Sequence, residues 1–192
     1  GNNLMPVTIN GNGSITGLAQ GGIDGTKVVT AAAQPAGSVI QRVQNLTHTR
    51  AAISNTTFTA TAHSVTITPT LASSKILINF SSMVNTNGTN FRAYIDVYRS
   101  INGGTFTGIA PQGSSNTTGS STSAGFIAEV RGDNSRIQVP FNIHYLDSPS
   151  YSLGNAIVYK LYLRSSNSSH TVELPASNQN EPVVNMATEI AG

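Results

Sequence analysis

The sequence contains no cysteine, which excludes disulfides and thiolate-bound metals and leaves no trace of the redox compartment. Charge is scarce as well, at 9% of residues. Three lysines (Lys27, Lys75, Lys160) and seven arginines are scattered along the chain, whereas a nucleic-acid binder gathers its cations into a patch or stripe. No nucleic-acid partner is therefore expected. The pI of 9.1 carries little weight, because with a formal charge of +2 and few ionisable groups a small imbalance moves it far. No stretch approaches the roughly 18 consecutive apolar residues that span a bilayer, so no membrane insertion is expected. The opening Gly1-Asn2-Asn3-Leu4-Met5-Pro6 lacks a basic region followed by an apolar one, so no signal peptide is expected. With no Met at position 1, a processed chain or a piece of a longer polypeptide is expected.

What the chain does have is alternation. From residue 136 to 146, Ile137, Val139, Phe141, Ile143 and Tyr145 fall on one side and Arg136, Gln138, Asn142 and His144 on the other. Strand side chains point alternately to opposite faces, so this is a strand with one buried and one wetter face. Pro140 predicts an edge strand or a bulge, since proline cannot donate to a ladder. Ser, Thr, Asn and Gly make up about two-fifths of the sequence, above an average globular composition. The β-branched and aromatic runs among them argue for a folded chain. At 192 residues there is room for one sandwich or barrel and a short appendage.

Residues 1–36 form the appendage: short apolar touches such as Val7, Ile9, Ile15 and Leu18 are separated by glycines. They cannot build a core, so the segment is expected to run extended, serving attachment or oligomerisation. Residues 37–192 form the main domain. Strands are expected at residues 39–47 and at 58–67, where Phe58, Ala60 and Ala62 alternate with threonines and Val65 and Ile67 continue. Others are expected around Ile76–Ile78–Phe80, Phe91–Ala93–Ile95–Val97, and residues 126–130, 136–146, 157–164, 171–174 and 183–190. Asn102-Gly103-Gly104 is a tight-hairpin signal, because Gly and Asn accept positive φ. Residues 85–90 and 113–123 read as exposed loops. No segment must be a helix. Strands at this spacing predict an all-β fold, an antiparallel β-sandwich that is jelly-roll-like, preceded by the extended glycine-rich N-terminal segment.

Few residues stand in a pattern that carries chemistry. His144 and Asp147 lie three apart, so on a strand they face opposite ways, and no G-x-S-x-G elbow accompanies them. They read better as a strand end entering a turn, with Asp147 and Ser148 bonding to local backbone. Gly11-Asn12-Gly13-Ser14-Ile15-Thr16-Gly17 has one residue too many for a dinucleotide fingerprint. His48, His63, His144 and His170 lack the spacing of a zinc site, so no metal and no cofactor is expected. Paired carboxylates for glycoside hydrolysis would have to come from eight acidic residues, none in a recognisable context. Arg131-Gly132-Asp133 matches the integrin-binding tripeptide but is also good turn sequence. The seven N-x-S/T sequons, headed by Asn12, Asn45, Asn55, Asn79, Asn87, Asn116 and Asn167, are close to what this composition produces by itself.

One pattern points to recognition. If Phe91, Ala93, Ile95 and Val97 face the core, then Arg92, Tyr94, Asp96 and Tyr98 share the opposite face, and Tyr162 between Lys160 and Arg164 repeats the motif. Tyr and Arg are enriched in interfaces, so Arg92, Tyr94, Tyr98 and Tyr162 are candidate subunit-interface residues. A solvated outer face held by cross-strand pairs is the alternative.

Several segments also resemble a known family. Phe141-Asn142-Ile143-His144-Tyr145-Leu146-Asp147-Ser148-Pro149, Val158-Tyr159-Lys160-Leu161 and Met186-Ala187-Thr188-Glu189-Ile190-Ala191-Gly192 are similar to fibre and other virion structural proteins of tailed bacteriophages, especially marine ones. Ile15-Thr16-Gly17-Leu18, Pro35-Ala36-Gly37-Ser38-Val39-Ile40-Gln41 and Leu71-Ala72-Ser73-Ser74-Lys75-Ile76-Leu77 fit the same resemblance. It implies a trimeric β-sandwich on a virion and identifies no receptor-binding residue. The expectation is a non-enzymatic tail fibre, a homotrimer joined to other virion proteins through the N-terminal segment. Neutral loops suit weak, multivalent contact with a host-surface glycan. Asn87, Asn90, Ser115, Asn116 and Thr117 are the candidate receptor-binding residues. A capsid head fibre or decoration protein, and a glycan-binding or depolymerase module, are the alternatives.

Overall fold

The computed structural model describes residues 34–87, 91–110, 127–132, 137–176 and 181–192, and two short strands before them. The chain divides into two compact units, Gly1–Pro35 and Ala36–Gly192. In the first, β1 (Thr8–Ile9) and β2 (Ile15–Thr16) pair antiparallel, Thr8 opposite Thr16. The segment was expected to run extended; within it these two apolar touches find each other.

The second unit carries β3 (Val39–Thr47), β4 (Ala51–Ile53), β5 (Thr59–Ile67), β6 (Lys75–Asn87), β7 (Phe91–Ile101), β8 (Thr107–Gly108), β9 (Ile127–Gly132), β10 (Ile137–Asp147), β11 (Ile157–Ser165), β12 (Thr171–Leu174) and β13 (Val183–Ile190). Every strand pair is antiparallel. One sheet runs β3-β13-β6 with β10 along the other side of β6, and the far end of β6 pairs with β12, which pairs with β4. The other runs β5-β11-β7, where β9 and β8 share the outer side of β7. Without the short β4, β8 and β12 the sheets read β3-β13-β6-β10 and β5-β11-β7-β9, the two-sheet Greek-key order of a jelly roll. The all-β sandwich expected from the alternation is therefore the observed fold.

Burial follows period two. Along β11, Ile157, Tyr159, Leu161, Leu163 and Ser165 are buried while the residues between them are half-buried. Ile76, Ile78 and Phe80 of β6, Phe141 and Ile143 of β10, and Ala93, Ile95 and Val97 of β7 join them in one core. Each large aliphatic or aromatic side chain so buried stabilises the fold by about 1.5–3 kcal/mol. Pro140 sits opposite Met83 in a ladder without a bulge, and β10 bonds only to β6 among the described residues, so the proline marks an edge strand. At Asn102 and Gly103 the backbone takes φ of 51° and 74°, the left-handed turn between β7 and β8.

Polar groups bind the layers. The Arg99 guanidinium donates to both oxygens of Asp147, at 2.8 and 2.7 Å, and the Tyr159 hydroxyl donates to the same carboxylate at 2.8 Å. Asp147 thus bridges the two sheets instead of bonding to local backbone, as its turn-like sequence context predicts. Glu189 is fully buried and accepts from the Thr70 and Leu71 amides, the Ser74 hydroxyl and the Gln41 amide. Burial pushes its carboxyl up, but these donors outweigh it and hold the group below its usual value.

Two expectations are corrected. On β5 the inward residues are Thr61, His63, Val65 and Ile67, while Ala60 and Ala62 are exposed. The larger Val65 and Ile67 set the phase, and polar Thr61 and His63 find partners inside: the Thr61 hydroxyl donates to the Leu161 carbonyl at 2.8 Å, and His63 contacts Thr47 and the Leu174 carbonyl. Residues 85–87, read as loop, belong to β6, where Asn85 is buried and donates to Glu173 at 2.7 Å.

Candidate functional site

The outer face of the five-stranded sheet is built from β7 and β11. Their register sets Tyr94 opposite Arg164, Asp96 opposite Tyr162 and Tyr98 opposite Lys160. Each pair shares a face, so the two strands present three tyrosines, two cations and a carboxylate together. Tyr98 and Tyr162 lie on the diagonal and stack, centroids 3.9 Å apart and 19° between planes.

Two connections extend the array. Ser165 donates to the Asn55 carbonyl at 2.8 Å and Arg164 Nη1 to the Thr56 carbonyl at 3.3 Å, which docks the segment carrying Phe58. The turn after β7 is closed by the Gly104 amide on the Ile101 carbonyl and the Ser100 hydroxyl on the Gly104 carbonyl, and it delivers Phe106. Phe58 lies 6.0 Å from Tyr98, and Phe106 lies 6.1 Å from Tyr162. The Arg164 guanidinium stands 3.8 Å from the Tyr94 centroid and 5.3 Å from that of Phe58; Lys160 Nζ is 4.8 Å from the Phe106 centroid. All seven side chains are half-buried. Stacking and cation–π attraction hold such an array in place.

Three features remain open. None of the Tyr94, Tyr98 and Tyr162 hydroxyls has a hydrogen-bond partner among the described residues, unlike the buried Tyr159. Neither Lys160 nor Arg164 has a carboxylate partner there, and Arg164 Nε is buried without an acceptor. Beneath the rings Asp96 is 5% exposed, and its Oδ1 accepts from the Val97 amide at 2.7 Å. Burial pushes its carboxyl up to about 6, the Val97 amide pulling the other way. Burial also raises the Tyr98 phenol, helped by the charge of Asp96 and by Tyr162 and opposed by Arg164. Gly108 of β8 permits this closeness, since a Cβ there would sit 3.1 Å from Asp96 Oδ2 and 3.6 Å from the Tyr98 ring.

The outer face of the six-stranded sheet differs. Register sets Leu46 opposite Val184, Gln44 opposite Met186, and Leu77 opposite both Thr188 and Leu146. Val39, Leu46 and Leu146 are 60%, 50% and 45% exposed, three of the four exposed large aliphatic side chains among the described residues. Arg42 and Lys75 lie toward one end of the face; at the other, Glu173 is buried and engaged by Arg50 and Asn85.

Of the residues singled out from sequence, Tyr94, Tyr98 and Tyr162 come together in the array, and Arg92 is exposed on the same strand. Asn87 is the last residue of β6, opposite Thr171, not a loop residue. Asn90, Ser115, Asn116 and Thr117 lie outside the described residues. Arg131 and Gly132 close β9 opposite Arg92 and Phe91. His144 is exposed and Asp147 buried, on opposite faces of β10. Among the described residues no group of three His, Cys, Asp or Glu could hold a metal, and no helix is long and apolar enough to cross a membrane. Phe58, Phe106 and the burial of Asp96 escaped the sequence reading, because only tertiary docking of two connections creates them. Comparison with known proteins finds no family model that matches the chain and no curated protein that matches it.

Proposed function

We propose that this chain is a non-enzymatic structural protein of a tailed-bacteriophage virion, a trimeric tail fibre that attaches the particle to its host. The observation that carries the reading is the pair of unlike outer faces on one jelly roll: one aliphatic and open, the other aromatic and cationic. A fibre needs one surface for its own copies and another for what it meets. Assembly through the tyrosine-bearing face, expected from the sequence, would bring together Lys160 and Arg164 of identical copies, cations with no carboxylate partner among the described residues. Like charges at an interface are unfavourable. We therefore assign the subunit contact to Val39, Leu46 and Leu146, where burial of exposed aliphatic surface drives association.

Light scattering on the full chain tests this. The expected mass is three times the 20.0 kDa of one chain, falling to one chain in a Leu46→Asp, Leu146→Asp variant that keeps its circular dichroism. A wild-type monomer would overturn the trimeric fibre. Gold labelling of the protein on intact particles should mark the tail; label on the head would replace the tail fibre with a head fibre or decoration protein.

A further inference from the structure

The aromatic array has unused polar capacity arranged in a line. Lys160 and Arg164 are four residues apart on one strand, about 13 Å at the rise of a β-strand. Between and beside them stand the hydroxyls of Tyr94, Tyr98 and Tyr162, which bond to nothing among the described residues. None of the three hydroxyl oxygens is among the buried polar atoms left without a partner, so they reach solvent and stand where a ligand can meet them. Tyr159, on the inner face of β11, instead places its hydroxyl on Asp147.

We infer that this face is a binding site for an acidic polysaccharide, whose carboxylate or sulfate groups pair with Lys160 and Arg164 while its hydroxyls meet the three phenols. This rests on the attachment reading above and gives it a ligand class. The site is a surface on two strands, and the backbone spacing of the two cationic residues exceeds one sugar ring, so a polymer lying along it is the fitting occupant. Apolar contact comes from the ring edges of Tyr98 and Tyr162, against which sugar C–H groups pack. Single-stranded nucleic acid fits less well. Such binders offer open aromatic faces for bases to stack on, whereas Tyr98 and Tyr162 cover each other and Arg164 covers Tyr94. A neutral glycan would leave both cations with no counter-charge but the buried Asp96 beneath the rings, which pairs with neither among the described residues. The cations are fixed over rings in advance, so little side-chain freedom remains to be lost on binding.

The test uses the full chain, titrated by calorimetry and tyrosine fluorescence with polygalacturonate, dextran sulfate, neutral dextran and oligo-dT at moderate salt. Polygalacturonate or dextran sulfate should bind, the stronger of the two identifying carboxylate or sulfate as the preferred anion, and neutral dextran should not. A Lys160→Ala, Arg164→Ala variant should bind at least tenfold more weakly. Tyr98→Phe with Tyr162→Phe, which removes hydroxyls that bond to nothing among the described residues, should weaken binding several-fold without changing the fold. Arg42→Ala with Lys75→Ala, on the other sheet, should leave affinity unchanged. Equal binding by the Lys160, Arg164 variant would overturn the site, as would an equal loss from the Arg42, Lys75 variant, or oligo-dT binding as tightly as the polysaccharides. A trimer that binds neither acidic polymer removes this site and keeps the fibre; a monomer that binds one keeps the site and removes the fibre.

Discussion

The two faces of β11 use tyrosine in opposite ways. On the inner face Tyr159 is fully buried, its hydroxyl donating to Asp147, and its neighbours Ile157, Leu161 and Leu163 are sealed from water. Three residues along, between Lys160 and Arg164, Tyr162 stacks its ring on Tyr98 and its hydroxyl has no partner among the described residues. The inner face satisfies every strong group it buries at this point: Arg99, Asp147 and Tyr159 complete one another. The outer face packs its apolar parts and leaves its polar ends open. Satisfied polar groups rigidify a core; unsatisfied ones at a surface are capacity for a ligand.

Breaking the inner face should cost most. Leu161→Ala removes a fully buried side chain from the middle of the sheet, and urea unfolding should show a loss of about 2–5 kcal/mol. Glu189→Gln comes next, because an amide cannot accept from all the donors gathered there. The expected loss at neutral pH is about 2–3 kcal/mol. Glu189 has its folded value below the usual 4.5, so its contribution is present above that pH and disappears as pH falls through the folded value. The gap between variant and wild type should close in acid.

Asp96→Asn sharpens the comparison by reversing the sign. The carboxyl is raised from 3.8 to about 6, so its stabilising contribution is complete below 3.8 and lost as pH rises through 6. At pH 8 the variant should be more stable than wild type by about 1–2 kcal/mol, and at pH 4 the gain should vanish; no difference at pH 8 would show that Asp96 is well solvated. The smallest effects separate the two tyrosines. Tyr159→Phe strips Asp147 of a donor and should cost about 1 kcal/mol, while Tyr162→Phe should stay within about 0.5 kcal/mol of wild type. Equal losses would erase the distinction between the faces.

Much of this architecture is readable in the residues. β3, β12 and β13 run over the residues that alternation and turn punctuation mark out, and the two faces of β10 sort as expected, because large apolar side chains recur there at every second position. The second half of β6 was not legible: Ser81, Ser82, Asn85, Thr86 and Asn87 carry no apolar rhythm, and the strand persists there because β10 and β12 pair with it on both sides. β4 and β8, three and two residues long, are too short to carry a period. Of the outer-face array, the tyrosines of β7 are legible as a row, since parity alone puts them together. Their stacking on Tyr162 depends on β11 lying beside β7, and the flanking phenylalanines depend on where two connections fold back. Local pattern holds no information about either.

The position of β13 also governs how the domain is made. It hydrogen-bonds to β3 on one side and β6 on the other, yet it is synthesised after both. Until residues 183–190 emerge, β3 lacks its only sheet neighbour among the described residues, and the first half of β6 stands open on one side. Unpaired edges of this kind recruit strands from other chains. Synthesis halted before Val183 should therefore yield material that associates edge to edge, and nascent copies must be kept apart until β13 has emerged.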